Sequence, residues 1–173
     1  MSFAPAVGAG GLAGYKLLEK SQARQQAAFE KSPVFQRNIE YFEKNIAKAK
    51  TAEDLVKDRR LLTVALGAFG LSDEVDKRAY VQKALESNTA DSKSFARRIA
   101  DARYLEFVKA FGYGDLTKGS NVGLDSFKKD IIARYKQLEF ERAVGGVDQN
   151  IRLAMNFRRE AAKIAAGETV DKI

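Results

Sequence analysis

The hydrophobic residues of this chain recur at steps of three and four, which is the spacing of one face of an α-helix. Ser32 and Pro33 supply a helix N-cap and a first-turn proline, and the apolar positions behind them keep this spacing as far as Ala49. No run alternates with period two for long enough to indicate a sheet. Five later stripes begin and end at Leu55 and Phe69, Val75 and Leu85, Phe95 and Phe111, Leu124 and Leu138, and Leu153 and Ile164. The pattern predicts an all-α, single-domain bundle of about six or seven helices.

Capping residues and glycines mark where these helices begin and end. Thr51 precedes an acidic first turn, which is typical of a helix N-terminus. Gly167 is placed to end the last helix. The stripe from Phe95 to Phe111 can be interpreted as two pieces that meet near Ala100.

Two of the predicted helices end with the same Ala-Phe-Gly triplet, at residues 68–70 and 110–112. A buried aromatic residue followed by a glycine that takes the left-handed conformation would let the chain reverse direction. We therefore interpret the triplet as a turn device. Each copy also begins with an Asp-x-Arg triplet, at residues 58–60 and 101–103, which fits packing or ion pairs as well as a site.

Residues 1–31 differ from the rest of the chain because their apolar stripe is weak. Polar residues occupy expected core positions between the leucines and Phe29, so this helix is expected to find little to pack against within its own chain. It is either a frayed terminal helix or an arm that orders on a partner. The sequence predicts a loosely packed, partly flexible N-terminal arm over 1–31 and a helical domain over 32–173. The candidate partner-binding residues of the arm are Leu12, Leu17, Leu18 and Phe29.

A glycine-rich segment from Gly114 to Gly123 is the longest loop-like stretch of the central region. Loops at the surface often carry binding residues. We therefore predict a flexible surface loop here, with Tyr113 and Asp115 at its start as further candidate partner-binding residues.

The composition argues against catalysis. The chain has no cysteine and no histidine. Disulfides, Cys/His zinc sites, thiol nucleophiles and the commonest general base are thereby removed. Carboxylates and lysines could still support acid–base or magnesium chemistry, but no phosphate loop or paired-carboxylate signature is present. We expect a protein without enzymatic activity, with no catalytic residues, no cofactor and no metal site.

The net charge of +7, from 30 basic and 23 acidic residues, raises nucleic acid as a partner. The excess is thin, and Arg97-Arg98 and Arg158-Arg159 have acidic neighbours. Tyr104 and Tyr135 fall on or beside apolar stripes, so they fit a core better than base stacking. A solvated surface explains the charge more simply. A basic helical nucleic-acid-binding module remains the alternative function, although we expect nucleic acid to be an unlikely partner.

No segment has the roughly 20 apolar residues that a membrane-spanning helix needs. The first fifteen residues are uncharged, but they lack a basic start and are broken by glycines. The sequence therefore predicts neither a membrane span nor a cleavable signal peptide.

Several spaced blocks of residues together resemble a known family. They are Ser32-Pro33, Tyr41-Phe42, Thr51-Ala-Glu-Asp-Leu-Val56, Asp58-Arg-Arg-Leu-Leu62, Ala65-Leu-Gly-Ala-Phe-Gly-Leu71, Asp101-Ala-Arg-Tyr104 and Ala110-Phe-Gly112. The chain, over roughly residues 10 to 165, resembles a domain of unknown function encoded in alphaproteobacterial flagellar gene clusters.

The resemblance implies a non-enzymatic, flagellum-associated protein that acts by protein–protein interaction in flagellar assembly or structure. Its expected partner is a flagellar component, and its expected location is cytoplasmic or flagellum-associated. The glycine- and alanine-rich N-terminus is compatible with export through the flagellar secretion apparatus.

Overall fold

In the computed structural model, which describes residues 3–115 and 117–167, all regular secondary structure is helical. The all-α prediction is confirmed. Two 3₁₀ turns, Ile46–Lys48 and Ser72–Glu74, accompany nine α-helices in this part of the chain. The α-helices are α1 Gly11–Glu30, α2 Pro33–Asn45, α3 Ala52–Lys57, α4 Arg59–Gly67, α5 Arg78–Leu85, α6 Phe95–Arg98, α7 Ala102–Phe111, α8 Asp125–Gly145 and α9 Gln149–Ala165.

The described residues contain more helices than the sequence predicts because two apolar stripes are divided by aspartates. Asp58 is extended (φ −91°, ψ 98°) and caps α4, so the stripe from Leu55 to Phe69 becomes α3 and α4. Asp101 caps α7 in the same way, which confirms the predicted break near Ala100. An aspartate carboxylate that accepts backbone N–H groups favours a new helix start over a continuous helix.

The predicted cap at Thr51 is confirmed as a capping box. Its hydroxyl accepts the backbone N–H of Asp54 at 3.1 Å, and the Asp54 carboxylate accepts the backbone N–H of Thr51 at 3.0 Å. This reciprocal pair satisfies two N–H groups at the start of α3.

Residues Arg37–Leu138 form one compact unit, called unit 2 here. Its core is rich in aromatic side chains, and the rings of Phe69 and Phe107 lie 5.4 Å apart between centroids. Phe111 contacts Phe107 at 5.0 Å and Phe127 at 5.0 Å. Such tilted and edge-to-face ring pairs stabilise a core beyond the burial of their area. The Ala-Phe-Gly end that follows α4 therefore packs against α7 through the ring of Phe69.

The repeated ends act as the sequence predicts. Gly70 and Gly112 both have φ of 70°, in the left-handed region that glycine adopts without strain. A hydrogen bond also links the two copies of the repeat. The Arg103 guanidinium, at the start of the second copy, donates to the carbonyl of Gly70, at the end of the first. The same guanidinium binds the Asp101 carboxylate, with Nη2 at 2.6 Å from Oδ2. The Asp-x-Arg triplet at 101–103 thus joins the two copies.

Residues Met1–Gln36 and Glu139–Ile173 form a second compact unit, called unit 1. Its core contains Leu18 of α1, Phe140 and Val144 of α8, and Ile151 and Met155 of α9. The expectation that the N-terminal helix finds little to pack against is wrong, because α1 packs on α9.

Glycine explains why the weak apolar stripe of α1 is misleading. A Cβ atom on Gly14 would lie 2.4 Å from the Val7 carbonyl oxygen and 3.0 Å from Cδ1 of Ile151. The absent side chain lets the α1 backbone approach its neighbours closely, and Leu18, one turn further along, fills the contact. Hydrophobic periodicity does not register a contact made by a glycine.

Within the described residues, none of the helices is both long enough and apolar enough to cross a bilayer.

Candidate functional site

Helix α9 carries a row of apolar side chains that faces solvent. Leu153 is 55% exposed, Phe157 76% and Ile164 61%. These three residues form the α9 stripe, with the half-buried Ala161 between them in the row. Their spacing of four, four and three places them on one side of a helix. The sequence predicts this row as the apolar stripe of the last helix, and the structure shows that the stripe faces solvent.

Two other residues form the buried side of α9. Ile151 and Met155 are the helix's buried residues, and both belong to the core of unit 1. Positions 151 and 155 point about 180° away from positions 153 and 164 when each residue turns by 100°. Helix α9 is therefore apolar on two opposite faces, and only one of them is covered.

Polar contacts fix this orientation of α9. The Asp148 carboxylate accepts the backbone N–H of Asn150 at 2.9 Å, as an N-cap. It also accepts the backbone N–H of Gly11, at the start of α1, at 3.0 Å. These backbone hydrogen bonds, that of Gly11 first, hold the pKa of Asp148 below its usual range. One carboxylate thus anchors the first turns of both α1 and α9.

Two ion pairs continue this anchoring along α9. Arg158 Nη1 lies 2.7 Å from Glu19 Oε1 of α1. Arg159 forms a short ion pair with the buried Glu141 of α8. Both arginines belong to the pair that the sequence analysis assigned to surface charge rather than phosphate binding, and both bind carboxylates of unit 1.

The candidate residues of α1 separate into two groups. Leu18 is 1% exposed and lies inside unit 1. The ring of Phe29 is partly buried against the same core, 4.6 Å from the ring of Phe35 and 5.9 Å from that of Phe140 between centroids. Leu12 and Leu17 are exposed. Of the four, only these two leucines face solvent as largely exposed side chains.

The outward side of α1 also carries a row of cations, which the hydrophobic pattern of the sequence does not reveal. Lys16, Lys20 and Arg24 follow one another at intervals of four, and all three are exposed. Glu19 lies nearby on α1, but its carboxylate is paired with Arg158. We call these three residues the α1 basic row.

Tyr113 is anchored to the core of unit 2. Its hydroxyl donates a hydrogen bond to the Ala49 carbonyl at 2.7 Å, and burial raises the pKa of this phenol. A Cβ atom on the next residue, Gly114, would lie 2.1 Å from the Ser87 carbonyl oxygen. The predicted flexible loop therefore starts from a tightly packed point, and partner binding by Tyr113 stays a prediction.

Asp115 organises the loop that follows. Its carboxylate Oδ1 accepts hydrogen bonds from the Thr117 hydroxyl at 2.7 Å, the Thr117 backbone N–H at 3.0 Å and the Lys118 backbone N–H at 3.2 Å. These contacts, the hydroxyl first, lower the pKa of Asp115. Leu116, within this loop, lies outside the described residues. Partner binding by Asp115 also stays a prediction.

An open cleft of about 600 Å³ in unit 2 is lined by Tyr41, Asp58 and Arg60, among others. The Tyr41 hydroxyl donates to Asp58 Oδ2 at 2.8 Å, and this hydrogen bond raises the pKa of Tyr41. Asp58 Oδ1 accepts the backbone N–H groups of Arg60 and Leu61, while the Arg60 guanidinium lies 4.1 Å from the Tyr41 ring centroid. These groups hold the start of α4 in place. In the described part of the chain, no three carboxylates come together in a way that could hold a metal ion.

Comparison with known families gives one match over residues 68–170, to a family described as "Protein of unknown function (DUF1217)". The chain belongs to this family. The DUF1217 match contains α5 to α9 entirely, so it includes the α9 stripe and excludes the α1 basic row. The description assigns no activity, so the site must be argued from its geometry. No curated protein matches the chain.

A protein from Agrobacterium tumefaciens with an X-ray crystal structure is similar to this DUF1217 chain. The TM-score is 0.75 and the sequence identity is 29%. The match covers 85% of this chain and 64% of that protein, so this chain spans less than two thirds of the length of its relative.

Sequence reasoning missed the outward orientation of the α9 stripe in this DUF1217 chain. The available signal was a second apolar pair, Ile151 and Met155, on the opposite side of the same helix. A helix with two apolar faces is either buried on all sides or open on one. The α1 basic row could have been found in the sequence from its regular spacing of four residues.

Proposed function

We propose that this chain is a non-enzymatic interaction protein of the bacterial flagellum, and that it binds a partner protein through the α9 stripe. The observation that carries the proposal is the exposure of Leu153, Phe157 and Ile164 along one side of a well-anchored helix. Isolated apolar residues are common on protein surfaces, but an ordered row of large ones is typical of an interaction surface.

The geometry of the α9 stripe suits a helical partner. Apolar anchors at intervals of three and four are the pattern by which one amphipathic helix recognises another. The stripe runs from residue 153 to 164, or about 16 Å at a rise of 1.5 Å per residue, which matches about three turns of a partner helix. Burying each large side chain would contribute roughly 1.5–3 kcal/mol before the costs of association.

The internal anchoring of α9 supports the same proposal. A helix held by Asp148, Arg158 and Arg159 keeps its outward face in a defined orientation before a partner arrives. Such preorganisation lowers the entropic cost of binding. The flagellar assignment is supported by the resemblance of the spaced sequence blocks to the domain encoded in flagellar gene clusters.

The test is complementation of a clean deletion strain, read out by swimming in soft agar and by electron microscopy of the flagella. The stripe variant is Phe157→Gln with Ile164→Gln. Its matched control is Val34→Gln with Leu124→Gln, which also replaces two exposed apolar residues, 62% and 54% exposed. We expect the deletion to impair swimming, the control to restore it, and the stripe variant to fail.

Two outcomes would contradict different parts of the proposal. Normal swimming and intact flagella in the deletion strain would remove the flagellar role. Full restoration by the stripe variant would remove the α9 stripe as the functional surface. Truncated or missing hooks and filaments would assign the protein to assembly, whereas paralysed but normal filaments would assign it to motor control.

A further inference from the structure

The α1 basic row is a charged surface that the proposed function does not use. We propose that it binds the surface of an anionic lipid bilayer, with the exposed side chains of Leu12 and Leu17 reaching the edge of the acyl chains. The protein would lie on the bilayer without crossing it. The α1 basic row and the α9 stripe share no residue, so this inference does not rest on the proposed function.

The α1 basic row covers one side of its helix. At about 100° per residue, Lys16, Lys20 and Arg24 lie within an arc of about 80°. Lys31 directly follows α1 in a helical backbone conformation and falls within the same arc. From Lys16 to Lys31 these four cations extend over about 22 Å, at a rise of about 1.5 Å per residue. Leu18, which packs in the core of unit 1, lies on the opposite side of the helix.

The four cations are exposed and unpaired. In the described part of the chain, none of their side chains forms an ion pair or a hydrogen bond with another residue. The two glutamates of α1 lie outside the arc. Glu19 lies 2.7 Å from Arg158, and Glu30 accepts a hydrogen bond from the Gln26 amide at 3.2 Å. No carboxylate of α1 therefore neutralises the positive charge on this side of the helix.

The other carboxylates of unit 1 are also engaged elsewhere. Among the described residues of this unit, nine are basic and six are acidic, so cations are in excess. Glu139, Glu141 and Glu160 pair with cations of α8 and α9. Asp148 caps α9. The excess positive charge of unit 1 therefore includes the whole α1 basic row.

Two exposed leucines flank the arc near the start of α1. Leu12 is 71% exposed and Leu17 is 47% exposed. Leu17 lies about 20° beyond one edge of the arc, and Leu12 lies about 40° beyond the other. The neutral residues within the arc are Ala13 and Ala27, whose small side chains do not hold a flat surface away. A bilayer that meets this side of α1 therefore meets the cations and, at the edges of the contact, both leucines.

The segment that precedes α1 is held on another side of the helix. The Gln25 amide accepts the backbone N–H of Ala6 at 2.7 Å and donates to the Ala6 carbonyl at 3.0 Å. Gln25 lies about 140° from the middle of the arc. Val7 is buried in the core of unit 1. Ala6 and Val7 therefore lie away from the four cations and leave them accessible.

Anionic lipid suits this combination better than nucleic acid or an acidic protein does. Peripheral proteins bind anionic membranes through clustered lysines and arginines together with exposed apolar side chains. Nucleic-acid interfaces add hydroxyl, amide and aromatic side chains, whereas the arc has alanines beside its cations. An acidic protein must present carboxylates at fixed positions along about 22 Å of helix. Anionic lipids instead diffuse within the bilayer to meet each cation.

The test measures sedimentation of the full chain with lipid vesicles. One set of vesicles contains phosphatidylcholine alone, and the other also contains phosphatidylglycerol at about one lipid in three. We expect the anionic vesicles to bind the chain at least about tenfold more tightly at about 50 mM salt. The ratio should be smaller at about 300 mM, because salt screens exposed charges.

Neutralising the α1 basic row should remove most of this binding. Each cation at an anionic surface is worth about fivefold in affinity, so the loss of three should weaken binding by about 100-fold. The variant is Lys16→Gln, Lys20→Gln, Arg24→Gln. Its matched control replaces three exposed lysines of unit 2 and is Lys44→Gln, Lys93→Gln, Lys129→Gln. Both lower the formal net charge from +7 to +4, since each change removes one charge. The control should bind within about twofold of the unmodified chain.

The leucines give a second, salt-independent measurement. Leu12→Gln with Leu17→Gln should weaken binding to anionic vesicles by at least about threefold at both salt concentrations, because salt does not screen an apolar contact. Circular dichroism checks that each variant folds. If the row variant does not fold, the two vesicle compositions compared on the unmodified chain still decide the proposal.

Equal binding to the two kinds of vesicle, or binding to neither, would overturn the proposal. Vesicle binding that is lost in Phe157→Gln with Ile164→Gln but kept in the row variant would also overturn it, and would assign the lipid contact to the α9 stripe. Binding to a short DNA duplex or to an acidic helical peptide, without binding to anionic vesicles, would assign the row to that ligand instead. The swimming test of the α9 stripe is independent of all these results, so failure here leaves the proposed function standing.

Discussion

Helices α7 and α9 have apolar stripes of similar spacing, yet one is closed by its own chain and the other is open. In α7, Tyr104, Phe107, Val108 and Phe111 are all buried in unit 2. In α9, the stripe that begins at Leu153 faces solvent, and the helix is held through Ile151 and Met155 instead. The difference shows that a periodic stripe reports an apolar face but does not identify what covers it.

The two helices also differ in how their ends are held. Asp101 at the start of α7 is bound by the guanidinium of Arg103, whereas Asp148 at the start of α9 accepts only backbone N–H groups among the contacts described. Gly112 ends α7 in a crowded turn, whereas a Cβ atom on Gly167, which follows α9, would meet no atom of the described residues within 4 Å. Each difference gives a way to test the comparison.

The largest expected effect comes from truncating one phenylalanine in each stripe. Phe107→Ala should lower the free energy of unfolding by about 3–5 kcal/mol, because this side chain is fully buried among other aromatic rings. Phe157→Ala should change it by less than about 0.5 kcal/mol, because the ring is mostly in water. Urea unfolding of the two variants and the unmodified chain measures both values. A loss of more than about 1 kcal/mol in Phe157→Ala would mean that the chain itself covers the α9 stripe.

A smaller effect is expected from the glycines that follow the two helices. Gly112→Ala should cost about 2 kcal/mol, since φ is 70° and a Cβ atom would lie 3.1 Å from the Gly119 carbonyl oxygen. Gly167→Ala should cost less than about 1 kcal/mol, because φ is 79° but no atom of the described residues lies within 4 Å of the added atom. Thermal and urea unfolding would compare them. Equal costs would show that backbone strain alone, without crowding, limits the end of α7.

The smallest expected effect concerns the pH dependence of the two N-caps. The hydrogen bonds from the Arg103 guanidinium lower the pKa of Asp101. Ionised Asp101 therefore stabilises the fold at pH values above the ordinary pKa of aspartate, about 3.9. That contribution is lost as the pH falls through the lowered pKa. We expect Asp101→Asn to reduce stability at pH 7 and the difference from the unmodified chain to shrink toward pH 3.

The matched control is Asp148→Asn in α9. Its carboxylate accepts neutral N–H donors rather than a guanidinium, and charged donors make the stronger hydrogen bonds. Asp148→Asn should therefore change the urea midpoint at pH 7 less than Asp101→Asn does. The opposite order would contradict the view that the arginine makes the α7 cap the stronger one.

Much of the fold could be predicted from the sequence because it depends on local chemistry. The capping box at Thr51 and the glycine turns at Gly70 and Gly112 each use residues within a few positions of one another. The break between α6 and α7 was visible for the same reason, since Asp101 caps the helix that it precedes.

The orientation of α9 could not be predicted, because the contacts that fix it come from distant parts of the chain. Glu19 reaches Arg158 across 139 positions of sequence, and Asp148 reaches Gly11 across 137. The close approach of Gly14 to Ile151 cannot be read from the sequence, because a glycine adds no apolar side chain to the hydrophobic pattern. The sequence therefore places the candidate residue Leu18 at a partner surface, whereas the structure buries it and exposes the large residues of α9 instead.

Unit 1 is built from two segments that are far apart in sequence, and this has a consequence for synthesis on the ribosome. Unit 2 is one continuous segment, so all its residues are synthesised before α9. Leu18 emerges early, but its packing partners Ile151 and Met155 come from one of the last helices described. Since domains tend to fold as they are synthesised, the N-terminal helix must wait for nearly the whole chain before it is buried. A released chain that ends at residue 138 would contain all of unit 2 and would still expose the inner face of α1 to chaperones.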